Sequence, residues 1–161
     1  MAVWLVDMGY VVGAGSHLFK IDYVKARRQI TEKLGSEPFS IIFNSVDPKI
    51  PIPLGLQNFY TQMKQAKFQV KLYEMEGGRQ RMVDVAIASQ AVLASSRGHN
   101  VILTSGDIDF LPAIEVITKQ IKGKVTLFTY DHGVHEKVIE AATDHWFFED
   151  MRQRIEKLLG G

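Results

Sequence analysis

Short apolar runs recur between longer stretches of helical spacing, and this alternation restricts the fold more than any other feature of the chain. Val3–Asp7 (VWLVD), Phe39–Phe43 (FSIIF), Phe68–Tyr73, Asn100–Leu103 and Lys124–Tyr130 (KVTLFTY) read as strands, with Trp146–Phe148 as a short sixth. A continuous apolar run such as VWLVD is the pattern of a strand buried on both faces. Helices are expected at Tyr23–Leu34, Leu56–Ala66, Val83–Ser96, Phe110–Ile121, His135–Ala142 and Glu149–Leu159. Asp22 supplies an N-cap and Gly35 a C-terminal stop for the first of these, and Gly98 ends the third. Pro112 falls in a first turn, where proline is tolerated. Met8–Ser16, with Gly9, Gly13 and Gly15, reads as a loop, and so does Asn44–Gly55 with its three prolines. Strand followed by helix, repeated, implies right-handed crossovers and a mostly parallel sheet of five to six strands with helices on both faces.

The 161 residues fit one domain spanning 1–161, and 46% apolar with 23% charged residues is the balance of a globular protein. The absence of cysteine excludes disulfides, thiolate catalysis and zinc–sulfur sites, and suits a reducing cytoplasm. MAVWLVDMGY has no basic leader region, and no stretch approaches about 20 apolar residues, so neither a signal peptide nor a membrane partner is expected. Net charge is +1, with a mildly basic first half beside an acidic second half. That division suits a phosphate-bearing substrate drawn to an acidic centre, and chance produces it equally well.

In open parallel sheets ligands bind beyond the carboxyl ends of the strands. Two strand ends here carry acids. VWLVD delivers Asp7, and TSGDIDF delivers Asp107 and Asp109 just before a helix. If the first and fourth strands are neighbours, three carboxylates converge on one crevice. Close carboxylates drive one another toward protonation unless a cation neutralises them. Hard oxygen ligands suit Mg²⁺ or Mn²⁺, and such an ion beside a phosphodiester activates water and stabilises the displacement.

Each acid also has a structural explanation. Asp107 or Asp109 can cap the helix that follows, Asp7 can bond amides of the glycine-rich segment after it, and Asp84 can cap a helix opening at Val85. Ser105 can orient a carboxylate or a substrate phosphate, or simply shape the turn. Arg79 and Arg81, just before Asp84, can hold phosphates or be solvated loop charges. Lys25, Arg27 and Arg28 read as a solvated helix face. In Asp131-His132-x-x-His135 no third ligand is identifiable, so these read as surface histidines, and Trp146, Phe147 and Phe148 read as core packing. GYVVGAG lacks the dinucleotide-binding spacing, and neither a P-loop nor a nucleophile elbow occurs.

The ordered set LVDMGY, RMVDVAIA and TSGDIDFLPAI, closed by EAATDHWF, resembles the NYN domain family, in particular its LabA-like branch, within the PIN-like nuclease superfamily. SGDIDFLP is the specific piece, and the match runs over nearly the whole chain. The resemblance implies a three-layer Rossmann-like (PIN-like) domain and a Mg²⁺ or Mn²⁺ ion held by Asp7, Asp84, Asp107 and Asp109. It also implies single-stranded or structured RNA as substrate; Tyr10, Arg79, Arg81 and Ser105 are the residues expected to bind it. The function so implied is a ribonuclease that hydrolyses phosphodiester bonds with an ion-activated water. A homodimer is compatible with it. Two positions depart from the family pattern: Tyr10 stands where Asn is common, and Gln90 where a second helical Asp often follows. They keep open a second reading, a catalytically weak or inactive regulatory module that binds RNA or a protein partner. A receiver or phosphatase is disfavoured, since Asp7 is not followed by the Asp-x-Asp-x-Thr pattern.

Overall fold

Buried β-branched and aromatic strands set the frame. The computed structural model describes residues 1–77 and 81–158. Six strands form one sheet in the order β3-β2-β1-β4-β5-β6, and every pairing is parallel. They are β1 (Ala2–Asp7), β2 (Phe39–Val46), β3 (Gln69–Glu74), β4 (Asn100–Thr104), β5 (Val125–Thr129) and β6 (Asp144–Phe147). This is the doubly wound order, whose topological switch point lies between β1 and β4. The register aligns Val6 with Thr104, so Asp7 and Ser105 leave the sheet side by side.

Helices cover both faces, giving the three-layer Rossmann-like architecture. On one face α1 (Met8–Ala14), α2 (Tyr23–Leu34), α3 (Leu54–Gln65) and the single turn α7 (Arg152–Ile155) pack on Trp4, Val6, Ile42 and Phe128. On the other, α4 (Arg81–Ser96), α5 (Leu111–Glu115) and α6 (Glu136–Ala141) pack on Val3, Leu5, Ile41 and Leu103. Alternate residues of β1 therefore belong to two separate cores, and all six are buried, as a strand buried on both faces requires. Beneath the switch point, the buried Trp4 indole N–H donates to Thr104 Oγ1 at 2.8 Å, and that hydroxyl donates to the Phe128 carbonyl at 2.6 Å. One polar chain thus crosses β1, β4 and β5. No helix among the described residues is long and apolar enough to cross a membrane.

Several elements differ from expectation. Met8–Ser16 is not a loop, because Met8–Ala14 forms α1. Asp7 caps it by accepting from the Tyr10 amide at 3.3 Å, and burial of Met8 and Val11 outweighs the roughly 1 kcal/mol that each interior glycine costs. Gly15 ends it against Tyr130, whose hydroxyl would lie 2.6 Å from a Cβ there. The second strand runs on to Val46, because β3 offers it pairing partners as far as Glu74. Arg27 is not on a solvated face: it is buried, pairs with Glu37 at 3.0 Å and stacks 4.2 Å above the Phe68 ring.

The expected helix Phe110–Ile121 has three parts. A 3₁₀ turn (Ile108–Phe110) leads into α5 and then a π-helical turn (Val116–Ile121), which Lys122 ends at φ 63°. The expected terminal helix is also shorter. A 3₁₀ turn (Phe148–Met151) and α7 are followed by extended chain, because Lys157 donates to the Lys20 carbonyl and Asp22 to that of Ile155. Leu159, its expected end, lies outside the described residues.

Candidate metal centre

Two chain segments bring the acids together at the switch point. Thr104 ends β4, and Ser105-Gly106-Asp107 turns the chain away from the sheet toward the face covered by α4. Asp107 caps the 3₁₀ turn, accepting from the Asp109 amide at 2.9 Å. Both Asp107 and Asp109 are exposed. Asp84 approaches from α4. That helix begins at Arg81, so Asp84 lies inside its first turn and is not the N-cap that the sequence suggested. Asp84, Asp107 and Asp109 each place a carboxylate oxygen within 4.8 Å of the others.

Asp7 stands behind this group and outside that 4.8 Å set. It is buried, with Ser105 Oγ donating to its Oδ2 at 2.8 Å. Ser105 is 1% exposed, so its hydroxyl serves Asp7 and does not face solvent.

Electrostatics show that the four acids sense one another. Burial raises the Asp84 carboxyl, and the charges of Asp7, Asp107 and Asp109 raise it further, to about 7. Burial also raises Asp7, with Asp107 adding to the effect and the Ser105 and Tyr10 hydrogen bonds opposing it. A cluster in which one carboxyl is pushed toward neutrality fits a hard divalent cation, which relieves the repulsion that causes the shift. Gln90 lies six residues beyond Asp84, roughly 9 Å along α4 at 1.5 Å per residue, so the acid it lacks is not one of the three that converge.

Gly106 explains why the TSGD turn carries glycine. A Cβ there would run into the backbone of Gly133 and Val134, and the His135 amide donates to the Gly106 carbonyl at 2.9 Å. Gly106→Ala is therefore expected to push the two loops apart and cost about 1–3 kcal/mol, read as a lower urea midpoint. An unchanged midpoint would show that the contact is not needed.

The remaining candidates are placed as follows. The half-buried Tyr10 donates its hydroxyl to the His132 carbonyl at 2.9 Å. Arg81 opens α4, and Arg79 lies outside the described residues. A cavity of about 770 Å³ opens between α1, α2 and α3, lined by Val11, Tyr23, Phe59 and Met63 among others. None of the four acids lines it, and its largely apolar wall offers little to a phosphodiester. Sequence reasoning missed Glu149, which sits with Asp131 and His132 in a second group of ligand-type side chains.

Comparison with known proteins bears on the fold and the family. No curated protein matches the chain. Among solved structures, a protein of unknown function from Vibrio parahaemolyticus RIMD 2210633 superposes with a TM-score of 0.78 at 21% identity. The alignment covers 92% of this chain and 93% of that one, and at such identity it supports the fold alone. The NYN domain model matches residues 2–150, a span that holds β1 with Asp7, α4 with Asp84 and the turn with Asp107 and Asp109. By that match, the chain belongs to the NYN domain family.

Proposed function

We propose that this protein is a divalent-metal-dependent ribonuclease that hydrolyses phosphodiester bonds at the carboxyl edge of β1 and β4. The observation that carries the reading is the convergence of Asp84, Asp107 and Asp109 within 4.8 Å, with the Asp84 carboxyl raised to about 7 by burial first and by the neighbouring acids after it. Asp84, Asp107 and Asp109 would hold the ion directly. Asp7, held by the Ser105 hydrogen bond, lies outside that set and couples to it through its charge. Bound there, Mg²⁺ or Mn²⁺ would supply Lewis-acid polarisation of the phosphoryl group and lower the pKa of water at the site.

The chain's own residues do the rest. Asp107 and Asp109 are exposed, which leaves a phosphodiester open access, and the proposal assigns phosphate binding to Arg79 and Arg81 on their place in the sequence just before Asp84. RNA as substrate, and the LabA-like branch, rest on the family resemblance of TSGDIDFLPAI. Tyr10 favours the second reading, a weakly active module that binds RNA or protein. Its hydroxyl is already committed to the His132 carbonyl, so it does not stand in for the amide of an Asn.

Labelled single-stranded RNA incubated with the metal-stripped protein tests both readings. Cleavage should appear with Mn²⁺ and vanish with EDTA. RNA that is bound but never cut would support the second reading, and cleavage indifferent to EDTA would refute metal dependence.

A further inference from the structure

A second group of ligand-type side chains lies beyond β5 and β6, and it involves none of the four acids above. One ligand atom each from Asp131, His132 and Glu149 lies within 4.8 Å of the others. His132 Nε2 is 2.9 Å from the Ala14 carbonyl oxygen. A carbonyl only accepts, so Nε2 carries the proton and Nδ1 presents a lone pair in the neutral ring. Nδ1 faces Asp131 Oδ1 at 3.6 Å, too far for a hydrogen bond. A histidine with one ring N–H anchored on a backbone carbonyl and the other nitrogen free beside a carboxylate has the arrangement of a metal ligand.

Glu149 supplies an independent observation. Its Oε1 accepts from the Asp131 amide at 3.0 Å, which fixes the carboxylate. Its Oε2 is shielded from solvent and has no hydrogen-bond partner among the described residues. The phenols nearby do not serve it, since Tyr10 donates to the His132 carbonyl and Tyr130 to that of Phe19. A shielded carboxylate oxygen without a donor is unfavourable unless a cation satisfies it.

We propose that Asp131, His132 and Glu149 form a second cation site, separate from the acidic turn, that takes a borderline transition ion of the Zn²⁺ class. One imidazole and two carboxylates, with open solvent on the Asp131 and His132 side, suit such an ion better than Mg²⁺, which prefers oxygen alone. The ion would clasp the loop after β5 to the 3₁₀ turn after β6. Through the His132 Nε2–H it would also tie both to the end of α1.

Equilibrium dialysis of the metal-stripped protein against micromolar Zn²⁺, with metal analysis of the retained fraction, tests the site. Wild type and Asp107→Asn should both retain at least about one equivalent, and Glu149→Gln and His132→Ala, each made together with Asp107→Asn to disable the acidic turn, should weaken binding at least ten-fold. Asp131→Asn, made in the same background, changes an exposed side chain without altering its size and should weaken binding as well, with circular dichroism confirming that each variant is folded. No saturable binding by wild type would overturn the proposal. So would binding that persists in all three variants, or binding lost only in Asp107→Asn, which would place the ion at the acidic turn.

Discussion

Asp107→Asn is expected to lower Mn²⁺-dependent cleavage of labelled single-stranded RNA by roughly 1,000-fold without unfolding the protein. The size follows from removing one of the three converging carboxylates that would hold the ion under the proposed function, whose stabilisation of transition-state charge is worth several kcal/mol at about 1.4 kcal/mol per factor of ten. Preservation of the fold follows from the local geometry. Asp107 accepts from the Asp109 amide, and Asn caps a helical turn about as well as Asp, so the substitution removes charge while keeping the turn. Asp109→Asn, which has no such capping bond to preserve, should behave similarly. Single-turnover cleavage beside a thermal melt checks both halves of the expectation. Full activity in Asp107→Asn would remove this carboxylate from the chemistry.

The second large effect concerns pH and metal together. The Asp84 carboxyl moves from 3.8 when unfolded to about 7 in the native protein. Between those values the native state holds a proton that the unfolded chain has released. The unfolded state therefore binds fewer protons, and stability falls as pH rises through this window, with the loss complete above about 7. Asp7, also raised, contributes with the same sign.

A divalent cation bound at these acids would take the place of the missing proton, so its stabilisation should be greatest where the proton is gone. At 100 times its dissociation constant, such an ion should raise the melting temperature by roughly 5–10 °C at pH 8, and by clearly less at pH 5.5. Asp84→Asn should flatten the pH slope of the metal-free protein, make it more stable than wild type at pH 8, and abolish most of the cation effect. Melting curves at the two pH values decide the matter. An equal metal-induced shift at both would mean that Asp84 does not exchange its proton for the ion.

The strands were legible because burial on both faces writes itself into sequence as unbroken apolar runs, and VWLVD leaves few alternatives. Their order could be inferred only as a condition; β1 and β4 do pair, with Val6 beside Thr104, but the acids that converge within 4.8 Å are Asp84, Asp107 and Asp109, with Asp7 outside that set. Local pattern failed where tertiary contacts overrule it. The glycines of α1 suggest a loop, and what makes them helical is a cap from Asp7 and the buried sides of Met8 and Val11. Arg27 looked solvated because Glu37 and Phe68 reach it only in the folded chain. Asp84 reads as a cap in the sequence because nothing local marks Arg81 as the start of the helix, which the apolar spacing puts at Val83 or, with Asp84 as cap, at Val85. Glu149 was invisible as a neighbour of His132 because β5–β6 pairing, and no sequence spacing, brings the two together.

The close approach of Gly106 to Gly133 and Val134 has a consequence for anyone who would re-engineer this domain. The loop after β5 cannot be exchanged as an independent module, because its backbone is the wall against which the Asp107 turn is moulded. Inserting a bulkier loop there would displace the acids as surely as mutating them. The proline-rich segment after β2 is not part of that contact, so an insertion there would not press on the Gly106 turn.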